Sequence, residues 1–207
     1  EKSIRDRAEM MLAIDESLGN IMKTLSDLKI DKNTVIFFTS DNGYFFGEHG
    51  LSLERRMPYE ESVKAPLFIK HPGIKNRVPF VDGLALSIDL SATALEIANV
   101  KIPNTIQGQS LLPMINGTKK EIRRNAFVEY YSNENPFPWT ANLDYRVLVT
   151  DRYKYIKWLR FEEAELYDLL KDPYDQKNLV NDPSMKKVLK SLKFEMKEQQ
   201  LKALGID

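Results

Sequence analysis

The 207-residue sequence contains no cysteine. That excludes a disulfide framework, a thiolate metal site and a cysteine nucleophile among these residues. Histidine is scarce: there are 2, so a histidine-rich zinc site is excluded as well. No apolar run approaches the ~20 residues that span a bilayer. Neither sign of charge dominates, because 30 Lys+Arg stand against 30 Asp+Glu. Such a balance gives no electrostatic reason to expect nucleic acid or an anionic membrane as partner. There is no Gly-x-Ser-x-Gly elbow, Walker loop or dinucleotide fingerprint, no internal repeat and no low-complexity segment. The first residues, Glu1 to Asp6, include no initiator Met and no apolar signal-peptide core. The chain is therefore expected to begin inside a larger protein.

What is present is apolar content of 43%, enough for one core or for a core with a small satellite. Met11, Ile14, Leu18, Ile21, Met22, Leu25 and Leu28 recur at helical spacing and predict a helix over 4–29, with Ser3 and Asp6 resembling a cap. Thr34 to Thr39 is a continuous β-branched and aromatic run. It reads as a strand buried on both faces, which favours a parallel sheet covered by helices. Residues 44–62 form a long loop rich in charge and aromatics, and 66–70 reads as a second buried strand. Asp89 is placed to cap a short helix over 90–98, and Gln107 to Met114 reads as a turn and short helix.

The texture changes after about residue 120. Segments 127–131, 145–149, 153–158 and 165–169 alternate in part and are separated by turns, the pattern of an antiparallel sheet. Asp182 and Pro183 open a final helix whose apolar stripe is Met185, Val188, Leu189, Leu192 and Met196, and Gly205 can end it. The expected architecture is α/β. Residues 1–120 contribute part of a mostly parallel sheet flanked by helices, and 121–207 form a small α+β subdomain with one helix against an antiparallel sheet.

Several residues could carry chemistry. Asp41 and Asn42 follow the first strand, where open α/β sheets bind ligands. A carboxylate beside an amide carbonyl offers two oxygen ligands to a hard cation such as Ca²⁺ or Mg²⁺; Asp-Asn-Gly is equally an ordinary turn. His49, in Gly-Glu-His-Gly, suits a general acid/base or a substrate contact, or a merely hydrogen-bonded loop position. Arg55 and Arg56 offer planar forks that match an oxyanion, or form a solvated surface pair. Glu60 and Glu61 are adjacent carboxylates on a segment read as exposed, and so read as solvated. His71 precedes a Pro-Gly turn and reads as structural.

Taken in order, several strings resemble the sulfatase family of the alkaline-phosphatase-like superfamily. They are Ile14 to Gly19, Asn33 to Gly43, Gly47 to Gly50, Tyr59 to Leu67, Ser87 to Thr93, Gln107 to Pro113, Thr150 to Ile156 and Glu165 to Pro173. The resemblance covers essentially the whole chain and is to the C-terminal portion of such enzymes. It implies a metal-dependent hydrolase of sulfate esters, with sulfated small molecules or polysaccharides as the substrate class. Asp41 and Asn42 match two ligands of a cation that is usually calcium, with magnesium the alternative. Arg55 matches a lysine that contacts the sulfate when the count runs back from Tyr59; counted from Gly-Glu-His-Gly, Glu54 falls there. His49 matches a position near the site. The family's formylglycine nucleophile and the aspartate pair that completes its metal site have no counterpart in this sequence. The chain by itself is therefore expected to be inactive. A phosphoester or phosphonate hydrolase of the same superfamily and a non-catalytic truncated product are the competing expectations. The resemblance further implies a periplasmic, secreted or lysosomal-type compartment.

Overall fold

A computed structural model describes residues 2–51, 56–74, 79–132 and 143–206. Helix α1 spans Lys2–Asp27. It is already running at Lys2, so Ser3 lies inside it and does not cap it. The stripe read from the sequence is there, yet no residue of α1 is buried. Its tie to the neighbouring loop is Arg7, whose guanidinium lies over the Tyr44 ring, 3.5 Å from the centroid.

Strand β1 (Ile36–Thr39) pairs with β2 (Leu67–Lys70), with Phe38 opposite Phe68. This pairing is antiparallel, which corrects the parallel sheet expected from the apolar run. A parallel pair needs a crossover, usually a helix laid across the sheet. The described residues of the connection carry the 3-10 turn Glu48–Gly50 and the four-residue helix α2 (Glu60–Val63), and they double the chain back. Nor is β1 buried on both faces: Ile36, Phe37 and Phe38 are half-buried and Thr39 is exposed. All strand pairs among the described residues are antiparallel.

Helix α3 (Asp89–Ile97) and the one-turn α4 (Leu112–Ile115) pack beside each other. Asp89 is the first residue of α3 rather than the cap before it. Its fully buried carboxylate accepts the backbone N–H groups of Leu86 (2.7 Å) and Gln109 (2.8 Å) and an ion pair from Arg123. One buried charge thus ties together the α3 entry, the Gln107–Ser110 turn and the approach to the second sheet. Gly108 makes this possible, since a Cβ there would stand 2.0 Å from the Ile88 carbonyl oxygen.

Strands β3 (Asn125–Tyr130), β4 (Tyr145–Thr150), β5 (Tyr153–Trp158) and β6 (Ala164–Asp168) form an antiparallel meander in that order. All four begin and end within two residues of the sequence reading. Alternation sorts their side chains onto two faces. One face presents Leu148, Tyr155 and Leu166 to α5 (Lys186–Ala203), which answers with Leu192 and Met196. Asp182 caps the turn that precedes α5, its carboxylate accepting the Ser184 N–H at 2.8 Å, and Gly205 ends the helix at φ 69°. The other face presents Tyr145, Val147, Ile156, Trp158 and Tyr167, covered by Met57 and Tyr59 of the long loop. That second cover is what brings the loop, and with it the end of β1, onto the C-terminal sheet.

Candidate active site

Immediately after β1 the backbone closes a tight turn. Ser40 Oγ donates to the Asn42 carbonyl at 2.7 Å, and the Asn42 N–H donates to Asp41 Oδ1 at 2.9 Å. Both residues are exposed, and among the described residues Asp41 Oδ2 accepts no hydrogen bond. The turn is pressed onto α2. The Gly43 N–H donates to the Ser62 carbonyl at 2.8 Å, and a Cβ on Gly43 would stand 2.1 Å from the Glu61 carbonyl oxygen. Glycine is required there because two backbones touch.

The donors at this strand end are of the kind a hard cation takes, carboxylate and amide oxygen. They fall short in number: no group of three or more His, Cys, Asp or Glu residues suited to a metal occurs among the described residues. The residues fit part of an oxygen-ligand site.

His49 lies in a single 3-10 turn, Glu48–Gly50, with a left-handed backbone at φ 55°. The flanking Gly47 (φ 123°) and Gly50 (φ 71°) supply the other positive angles of this reversal. Glu48 accepts the Phe46 N–H at 2.6 Å, and that bond holds its carboxyl below the usual range. The His49 ring faces inward. It stacks on Tyr59 at 4.2 Å between centroids and meets the fully buried Phe45 edge-on. Its Nε2 stands 3.4 Å from Glu61 Oε2. Both atoms are buried and neither has a hydrogen bond, so this is a close polar contact without hydrogen-bond geometry.

The adjacent carboxylates are not solvated as their sequence suggested. Glu61 turns to His49, and Glu60 accepts from Lys154 Nζ at 2.8 Å. Lys154 is fully buried and also meets Asp175 at 2.6 Å. Burial pushes the Asp175 carboxyl up, with the Lys154 charge pulling the other way. Nearby, Glu165 accepts from Trp158 Nε1 (2.7 Å), the Tyr167 hydroxyl (2.5 Å) and the Tyr59 hydroxyl (3.3 Å). Burial first, then the Glu165 carboxylate, push both tyrosine hydroxyls well above their ordinary value, so they stay protonated donors.

The sequence reading missed Lys154, Asp175 and Glu165. A signal for Lys154 was available. It alternates in phase with Ile156 and Trp158, so a charged residue sat on an apolar face and required partners. Of the other candidates, His71 Nδ1 accepts the Gly73 N–H at 3.0 Å and closes the turn, as its setting suggested. Arg56 is half-buried and engaged. Arg55 lies outside the described residues, so the structure brings together Asp41, Asn42 and His49 around α2 and does not place Arg55.

Comparison with known proteins gives this arrangement a context. The family model described as "N-sulphoglucosamine sulphohydrolase, C-terminal" matches residues 47–202. An N-acetylglucosamine-6-O-sulfatase of Bacteroides thetaiotaomicron is 31% identical over 204 residues, which cover 97% of this chain and 36% of that protein. Among solved structures, a complex with the substrate D-glucosamine-2-N,6-O-disulfate superposes with a TM-score of 0.80 at 31% identity, covering 92% of this chain and 38% of that one. A phosphonate monoester hydrolase of Agrobacterium radiobacter superposes at 0.79 and 25% identity, covering 94% and 40%. The chain thus spans little more than a third of the length of the first relative. Matched over most of its residues by that model, and aligned with the C-terminal portion of these enzymes, the chain belongs to the sulfatase family.

Proposed function

We propose that these residues serve a sulfuric ester hydrolase acting on sulfated carbohydrate, in which Asp41 and Asn42 supply two oxygen ligands of a calcium site. The observation that supports this most directly is the turn after β1: two exposed oxygen donors on a strand end fixed by the Gly43–Ser62 backbone bond. The relatives' names point to sulfated sugars as the substrate class, glucosamine sulfates among them. A calcium ion held by Asp41 and Asn42 would supply positive charge to the oxygens of the ester. The nucleophile, a formylglycine, and the remaining ligands come from residues other than these 207.

The chain's own residues do the positioning. Asp41 Oδ1 is committed to the Asn42 N–H, which orients the carboxylate and leaves Oδ2 for a ligand. Glu61 faces His49 Nε2 across 3.4 Å, and the ring is stacked against Tyr59. Arg55 is the residue proposed to grip the sulfate, its fork matching two of the oxygens.

The test is made on the full-length protein with 6-O-sulfated N-acetylglucosamine and an aryl sulfate. Turnover that is lost on calcium chelation, restored by added calcium and abolished in Asp41→Ala is the expected result. Turnover unaffected by both treatments overturns the metal assignment. A second reading, a phosphonate monoester hydrolase, is favoured by the likeness to the Agrobacterium enzyme. A higher kcat/KM on an aryl phosphonate monoester than on the matched sulfate selects it.

A further inference from the structure

The face of the meander that carries α5 holds a groove of about 840 Å³; the Asp41–His49 region sits toward the opposite face, linked to the groove through Glu165, which lines it and accepts from Tyr59. That is within the size range of small-ligand sites, ~300–1,000 Å³. Lys157 lines it from β5, and Lys193 and Lys197 line it from α5. Among the described residues none of these three lysines has an ion pair. Arg146 stands opposite Lys157 in the sheet register and also lines the groove, but Glu129 already holds it at 2.7 Å.

The lysines are not scattered. Lys186, Lys190, Lys193 and Lys197 recur at helical spacing along one side of α5, a stripe about 16 Å long at 1.5 Å per residue. The chain as a whole has a formal net charge of +0, so this concentration is local.

The groove also has an unanswered polar group. Tyr155 lines it and is 3% exposed, yet its hydroxyl has no hydrogen-bond partner among the described residues. That hydroxyl is not among the fully enclosed unpartnered atoms, so its open side is the groove. Burial pushes its pKa up, which keeps it a donor. Gln200 adds an amide to the wall, the Asn178 amide being already engaged with the backbone of Leu166, Val180 and Ala164, and Glu162 and Glu163 stand on the hairpin rim as acceptors. Cations for sulfate, an amide and carboxylates for hydroxyls, and a phenol on the floor form a set suited to a charged sugar. A bare phosphate chain would leave the carboxylates opposed and the Gln200 amide idle.

We propose that this groove is a second carbohydrate site, which binds a sulfated oligosaccharide away from the active centre and continues along the α5 lysine stripe. The identity of the ligand class rests on the hydrolase reading above. The groove holds a polymer on the protein while the candidate active site works on a chain end.

The experiment uses the full-length protein and a heparin-derived decasaccharide, with its desulfated form and a polyphosphate of matched charge as comparators. The triple variant Lys157→Gln/Lys193→Gln/Lys197→Gln is expected to bind the sulfated decasaccharide about tenfold more weakly at physiological salt, from three lost charge contacts. Tyr155→Phe, which keeps the packing and removes the hydroxyl, is expected to lose about threefold. Lys187→Gln/Lys202→Gln, whose residues point away from the groove, is expected to stay within twofold. Unchanged affinity in the triple variant, an equal loss in the off-groove pair, equal binding of the desulfated sugar, or equal binding of polyphosphate each overturns the site. Decasaccharide binding that the triple variant loses, in a protein that turns over no sulfate ester, sinks the hydrolase reading and supports the groove.

Discussion

The two ends of this chain carry similar amphipathic helices with opposite fates. Helix α5 buries Leu192 and Met196 against the meander, whereas α1, longer and just as clearly striped, buries nothing. Met11 is 52% and Ile14 44% exposed on α1. Around β4 and β5, by contrast, Val147, Leu148 and Ile156 are fully enclosed. Helical periodicity therefore reports secondary structure and the wish to be buried. Burial itself depends on a complementary surface, which α5 finds on the sheet and α1 does not find among the described residues.

The strongest test of this contrast lies in the charges within the C-terminal core. Lys154→Met leaves Asp175 and Glu60 without their shared cation. It is expected to lower unfolding stability by about 3–5 kcal/mol, read as a fall in urea midpoint. A cost below about 1 kcal/mol would mean that water replaces the lysine and that the network does not hold α2 in place.

Next come matched truncations on the two helices. Leu192→Ala is expected to cost about 2–5 kcal/mol by opening a cavity at a 3% exposed site. Ile14→Ala is expected to change stability by no more than about 0.5 kcal/mol, because Ile14 is not buried among the described residues. Equal losses would erase the contrast. Hydrogen exchange sharpens it: α1 amides are expected to exchange faster than those of β4 and β5.

A smaller effect is expected where the turn after β1 meets α2. Gly43→Ala drives a methyl into the Glu61 carbonyl and is expected to cost about 1–3 kcal/mol in thermal or urea unfolding. If the strand end is the metal turn, the same variant weakens calcium binding in the full-length protein.

The smallest predicted effect is the acid limb of stability. Arg152 lowers the Asp168 carboxyl, and the Ser132 N–H lowers that of Asp144. A group lowered in the folded state stabilises above its unfolded pKa, about 3.9 for Asp, and loses that contribution as pH falls through the folded value. Asp175 is raised, so its own contribution runs the other way and is lost as pH rises through its folded value. The urea midpoint is expected to fall between about pH 5 and pH 2, and Asp168→Asn is expected to flatten that fall. An unchanged slope would show that Arg152, itself 42% exposed, is screened by solvent.

Much of the fold was legible in the sequence. The meander, the Asp182 cap, α5 and its stripe follow from periods of two and 3.6 and from turn residues, all signals that act over a few positions. The sense of the β1–β2 pairing was not legible. An apolar four-residue strand looks the same whichever way its neighbour runs, and the long connection hides whether the chain crosses over or turns back. At the candidate site, Asp41, Asn42 and His49 stood out by type and spacing, but their setting did not.

The sequence by itself determined the kinds of element, most of their limits, the family strings and the oxygen donors after β1, because each is written in neighbouring residues. Only the tertiary structure decided that Glu60 and Glu61 face different buried partners and that Lys154 reaches across to α2. It alone placed Lys157 opposite the α5 lysines in one groove. Those relations join residues far apart in the chain. Such contacts arise when two surfaces dock and exclude water, and no local pattern encodes which surfaces will meet.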